Sequence, residues 1–152
     1  MKKLVLALGL ALLAGPARAG YAPPVTDPLT VKACGECHMV FQPAFLPARS
    51  WGGIMDTLAD HFGDNATMAP DKAAHIRKVL MEGAADTGGG RMGAKVMRRL
   101  DPGSTPLRIT QTAPFLRKHD LPASIWKRPD VVTRSNCPAC HAAADKGDYE
   151  DH

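Results

Sequence analysis

The sequence predicts an all-α fold. Three observations carry that reading. Apolar residues recur at helical spacing over 50–62, 70–82 and 91–100, prolines (13) and glycines (14) punctuate the chain between these runs, and no strand run surrounds the cysteine clusters near either end. Aromatic residues make up only 5% of the 152 positions, so a core built from protein alone would be thin in either half. Small domains in that position generally need a staple.

Residues 1–19 read as a secretory leader. Lys2 and Lys3 precede an unbroken small and apolar run, Leu4 to Ala14, and Ala17-Arg18-Ala19 supplies an A-x-A cleavage site. The expected mature chain starts at Gly20 and lies outside the cytoplasm; retention of the leader as an anchor is the alternative. The apolar run is shorter than the roughly 20 residues that span a bilayer. No later segment approaches that length, so no membrane span is expected after cleavage.

Pro23, Pro24 and Pro28 make residues 20–28 an extended arm, followed by a short helix from Leu29 to Cys37. Pro43 and Pro47 keep residues 39–48 out of regular helix. Ser50 to Phe62 reads as an amphipathic helix with Ser50 as N-cap, a stripe of Trp51, Ile54, Met55, Leu58 and Phe62, and Gly63 as its stop. His61 falls at the edge of that stripe. The next helix, Pro70 to Glu82, turns Ala73, Ile76, Val79 and Leu80 inward and Lys72, Lys78 and Glu82 outward.

Thr87-Gly88-Gly89-Gly90 is the clearest breaker, and it divides the expected mature chain into 20–87 and 88–152. Arg91 to Leu100 then forms a basic amphipathic helix with Met92, Val96 and Leu100 on one side. Asp101 to Ser104 is a turn, Leu107 to Thr112 is extended, and short helical pieces lie near Ala113–His119 and Ala123–Lys127. The acidic tail after Gly147 is expected to be loose.

Removing the leader leaves 16 basic and 15 acidic residues, so the basic character of the full chain is no argument for nucleic acid. The distribution is less even. Residues 87–134 carry 10 basic and 3 acidic side chains, between two acidic ends. That middle is either an ordinary solvated surface or a docking face for an acidic partner.

The four cysteines identify the staple. They occur as Cys34-Gly35-Glu36-Cys37-His38 and Cys137-Pro138-Ala139-Cys140-His141. With 6 histidines in 152 positions, chance would place one after both pairs roughly two times in a thousand, and the pattern is that of c-type haem attachment, twice. On one helical turn, positions i and i+3 share a face. Both sulfurs can therefore reach the vinyl groups of one porphyrin, and the next residue can swing its imidazole beneath the iron. Cys34 and Cys37 would anchor one haem with His38 as proximal ligand; Cys137, Cys140 and His141 would serve the other. The competing readings are two disulfides, a zinc site built from two knuckles, and a thioredoxin-like dithiol.

Each iron then needs a sixth ligand, which decides between carrying electrons and binding a substrate. His61, His75, His119 and His152 remain. His61 lies by an apolar stripe in the unit of the first haem, and His119, 18 residues before Cys137, is close enough to fold over the second. His75 sits among lysines, and His152 ends a polar tail. Met68, Met81, Met92 and Met97 are rivals at the first haem, and a methionine there would raise the reduction potential relative to two histidines. Arg108, Arg117, Lys118 and Lys127 either pair haem propionates or are ordinary surface charges.

The runs SWGGIMDTLADHFGDNA, PLRITQTAPFLRKHDLP and NCPACHAAADKGDYE resemble the bacterial dihaem cytochrome c family over nearly the whole mature chain. The resemblance implies a soluble periplasmic electron carrier with a class I cytochrome c-like N-terminal haem domain and a smaller, loop-rich C-terminal haem domain. It implies His61 and His119 as distal ligands, so that both irons are bis-histidine. It also implies redox partner proteins, among them a membrane b-type cytochrome and a small monohaem cytochrome that can bind oxygen. The expected protein is a monomer that acts as a carrier and not an enzyme. The alternative is a haem enzyme or gas-binding protein with one open or labile iron site.

Overall fold

The computed structural model describes residues 20–150; the leader and His152 lie outside the described residues. Asp27 starts the first helix, α1 (Pro28–Gly35). Its carboxylate accepts the Thr30 N–H at 2.8 Å and the Thr30 hydroxyl at 2.6 Å, satisfying a backbone donor that the first turn leaves free. Thr30 is fully buried beneath this cap.

Helix α2 (Ala48–Asp56) and helix α3 (Pro70–Glu82) pack on each other, and α1 also rests on α3. Leu46, Trp51, Ile54, Ile76, Leu80 and Ala84 form the core cluster between them. The Trp51 indole donates to the Pro43 carbonyl at 2.9 Å, so its one polar group is satisfied where the ring is buried. Arg77 of α3 reaches across to the Gly52 carbonyl at 3.0 Å and to Asp56 at 2.5 Å, tying the two helices at the surface.

Helix α4 (Gly90–Met97) follows the glycine run and packs on the 3-10 turn Pro43–Phe45. Its Val96, with Leu100 beyond its end, is buried as the spacing predicts. The approach is close enough to require glycine at 93. A Cβ there would lie 2.4 Å from the Ala85 carbonyl oxygen and 2.8 Å from the Ala85 Cα. Two short helices, α5 (Ala113–Lys118) and α6 (Ala123–Trp126), precede the second cysteine cluster.

The described residues contain no strand, only the isolated bridges Tyr21–Asp148 and His61–Asp64, which agrees with an all-α fold. No helix among them is long and apolar enough to cross a membrane.

Three expected elements are corrected. The helix read over Ser50–Phe62 begins at Ala48, with Pro47 as N-cap and Ser50 buried inside it, and it ends at Asp56. Thr57 stops it. The Thr57 hydroxyl donates back to the Gly53 and Ile54 carbonyls while its backbone turns to φ −116°, ψ 29°. Residues 107–112 are not wholly extended, because Ile109–Gln111 form a 3-10 turn. The tail after Gly147 is not loose. The Ala22 N–H donates to the Gly147 carbonyl at 2.8 Å, and the Tyr149 N–H donates to the Gly20 carbonyl at 3.1 Å.

Candidate haem centres

The first cysteine motif straddles the end of α1. Cys34 is still helical and half-buried, whereas Cys37 and His38 lie just beyond, with their N–H groups directed back at the Cys34 carbonyl. The His38 Nδ1–H donates to the Met39 carbonyl at 2.6 Å. That bond fixes the tautomer and leaves Nε2 with a lone pair for a metal. The His38 ring also stacks on Phe41, with centroids 5.0 Å apart.

His61 is not on a helix. After the 3-10 turn Leu58–Asp60, it opens a two-residue reversal in which its N–H donates to the Asp64 carbonyl at 2.7 Å and the Asp64 N–H donates back at 3.3 Å. Phe62 (φ 62°) and Gly63 (φ 108°) fill the two central positions, both left-handed, as a type I′ turn requires. Asp60 braces the turn by accepting the Gly63 N–H at 3.0 Å. Phe62 is 42% exposed and does not join the core; the guanidinium of Arg108 lies 4.1 Å over its ring.

This turn carries His61 to His38. Their ring centroids are 6.2 Å apart with the planes at 17°. Burial holds the His61 pKa below its ordinary value, His38 and Arg108 add to that depression, and Asp64 opposes it. The neutral imidazole is the form that binds a metal. The His61 Nδ1 is buried without a hydrogen-bond partner.

The second motif is a 3-10 turn, Cys137–Ala139, that places Cys137 half-buried and Cys140 exposed, with the His141 N–H donating to the Cys137 carbonyl at 2.9 Å. Thr112 caps α5 by accepting the Phe115 N–H, and the helix ends on His119. The His119 ring lies parallel to Phe115, centroids 4.0 Å apart, and its Nδ1–H donates to the Phe115 carbonyl at 3.0 Å. Trp126 of α6 stands 6.2 Å away, with Arg134 over its indole. His119 faces His141 at 6.1 Å between centroids and 77° between planes.

Both separations fit two imidazoles on one iron. A metal–imidazole nitrogen distance of about 2 Å, plus about 1 Å from that nitrogen to the ring centre, puts the two centroids about 6 Å apart. Of the four cysteines, Cys34 and Cys137 are half-buried and Cys37 and Cys140 are exposed. They form no disulfide. Among the described residues no three His, Cys, Asp or Glu side chains converge as a zinc site would need. The rival methionines Met68 and Met81 pack against the core cluster.

His75 joins neither pair. Its Nε2 lies 3.0 Å from Asp27, which ties α3 to the cap of the helix bearing the first motif. Arg117, Lys118 and Lys127 are exposed. Two residues of the second centre's surroundings went unnoticed in the sequence. Gln42, fully buried, donates through Nε2 to the Ala144 carbonyl at 2.8 Å, and Tyr149 donates its hydroxyl to Gln42 Oε1. Their signals were faint: a lone amide between Phe41 and Pro43, and one of only two tyrosines.

Comparison with known proteins agrees with these centres. A family model, dihaem cytochrome c, matches residues 30–149. Among solved structures, the chain is similar to a diheme cytochrome c from Rhodobacter sphaeroides, at 39% identity and a TM-score of 0.75, over 84% of this chain and 100% of that one. It is also similar to a diheme cytochrome type c from Shewanella baltica OS155, at 33% identity and a TM-score of 0.67, over 82% of this chain and 87% of that one. No curated protein matches. A chain with two attachment motifs, two facing histidine pairs and this extent of likeness carries two covalently attached haem c groups, and it belongs to the dihaem cytochrome c family.

Proposed function

We propose that the protein is a periplasmic electron carrier whose two haem irons are each held by two histidines, His38 with His61 and His141 with His119. The observation that carries this reading is the pairing itself. Each proximal histidine has one opposing imidazole at the separation that a shared iron demands. With both axial positions filled, neither metal offers a place to a substrate. The haem iron supplies one-electron exchange between its ferrous and ferric states.

The chain's own residues do the rest. The Met39 and Phe115 carbonyls orient His38 and His119 and raise the electron density that these rings offer a metal. Phe41, Phe115 and Trp126 pack beside ligand rings and hold their orientation. The chain is read as two haem lobes, 20–87 and 88–152, in a monomer exported by its leader. Its partners are redox proteins, with a membrane b-type cytochrome and a small monohaem cytochrome as the first to test.

The reading is tested on reduced holoprotein exposed to carbon monoxide. A carrier with two histidines on each iron keeps its Soret band unmoved. A stoichiometric shift in native protein would establish an open or labile site, and with it a haem enzyme or gas-binding protein.

A further inference from the structure

We propose that Gln42 and Tyr149 form the bridge through which the two haem centres exchange electrons. This rests on the electron-carrier reading above and assigns its internal route.

Gln42 lies four residues beyond His38, directly after Phe41, whose ring stacks on the His38 imidazole at 5.0 Å. From that position its side-chain amide reaches two partners more than a hundred residues further along the chain. Nε2 donates to the Ala144 carbonyl at 2.8 Å, and the Ala144 N–H in turn donates to the His141 carbonyl at 2.9 Å. Oε1 accepts the Tyr149 hydroxyl, and the Tyr149 ring meets the His141 imidazole at 5.4 Å between centroids and 61° between planes. One buried amide thus starts two short routes, one through backbone and one through an aromatic ring, that both end on the proximal histidine of the other centre. Electron tunnelling decays less steeply through covalent and hydrogen bonds than across packing gaps.

The choice of residues supports a role beyond filling space. Gln42 is 0% exposed, and Tyr149 seats its ring edge-on against Phe45 at 4.9 Å. Apolar side chains of similar volume would fill this space without buried polar atoms that must find partners. The amide has one workable orientation, because reversing it would set its oxygen against the Ala144 carbonyl. The step moves one electron. A ferrous iron at one centre becomes ferric as the ferric iron at the other becomes ferrous, no bond is made or broken, and the hydroxyl proton stays on Tyr149.

The test compares wild type with Tyr149→Phe, which keeps the ring and removes the hydroxyl, and Gln42→Met, which keeps the volume and removes both hydrogen bonds. Oxidised holoprotein is reduced by a radiolytic pulse, and redistribution of the electron between haems is followed by freeze-quench EPR. Haem–haem dipolar coupling in the same samples reports their separation. The expected result is a several-fold slower redistribution in Tyr149→Phe and a larger loss in Gln42→Met, with dipolar coupling unchanged. A wild-type rate in Tyr149→Phe, or a slower rate found only with weakened dipolar coupling, would overturn the bridge. Should Gln42→Met fail to load haem, Tyr149→Phe decides alone. Failure of the carrier reading appears separately, as a carbon monoxide shift in wild type.

Discussion

His38 and His61 face each other with their rings within 17° of parallel, whereas the corresponding pair at the second centre is crossed at 77°. Parallel imidazole planes lift the degeneracy of the iron π-type d orbitals, and crossed planes restore much of it. Low-temperature EPR of the oxidised protein should therefore show two distinct low-spin ferric signals, one rhombic and one strongly axial with a single large g value. His61→Ala should remove the rhombic signal alone and His119→Ala the axial one alone. Loss of neither would refute the ligand assignment.

Gly63 carries the φ of 108° that closes the turn presenting His61, and nothing lies within 4 Å of where a Cβ would sit. Gly63→Ala therefore meets no clash and changes only backbone preference, at a cost of about 1–2 kcal/mol. The expected outcome is a lower thermal midpoint together with a broadened EPR signal at the first haem and an unchanged signal at the second. Equal broadening at both haems would mean that the turn does not act on His61 specifically.

Asp27 binds both Thr30 and His75, and these contacts hold its pKa at about 2 against an ordinary 3.8, with the Thr30 side-chain hydrogen bond as the largest cause. A carboxylate with a depressed folded-state pKa stabilises the fold fully above its unfolded value and loses that contribution as pH falls through the folded one. Stability should thus decline between about pH 4 and pH 2 in wild type. Asp27→Ala should start lower at neutral pH and decline less over that window, as read from denaturation midpoints at stepped pH. Parallel curves for the two proteins would show that Asp27 is not the group responsible.

Gly93 of α4 lies directly against the backbone of Ala85, in the segment after α3. A methyl group added there meets backbone that cannot swing away, so Gly93→Ala should destabilise by about 1–3 kcal/mol in chemical denaturation. Ala94→Gly, one residue on at an exposed position, should lose only the helix-propensity difference of about 1 kcal/mol. An equal loss in the two variants would remove the packing explanation.

Features encoded within a few residues were legible in the sequence. The boundaries of α3 and the short helical piece near Ala113–His119 follow from local spacing, and the structure places them accordingly. The 50–62 segment misled because Leu58 and Phe62 continue the apolar rhythm after the helix has ended; the break depends on a threonine hydroxyl competing for backbone carbonyls. His61 was singled out at the sequence level, but on a helix it does not occupy. Gln42, Tyr149 and the His75–Asp27 contact act across 48 to 107 residues of sequence, and no periodicity reports such distances. The tail looked loose from its acidic composition because its anchoring runs through two backbone hydrogen bonds and one phenol.

The pairing of residues 20–22 with 147–149 has a consequence for the order in which the protein is made. Its contacts span almost the whole described chain, so they close the largest loop available and demand the greatest loss of chain entropy before any return. They also depend on residues 147–149, which are made after the second attachment turn. Until those residues have emerged, the second attachment turn lacks the Tyr149 ring that packs against His141. A chain cut before Tyr149 should accept both haems and yet fail to lock.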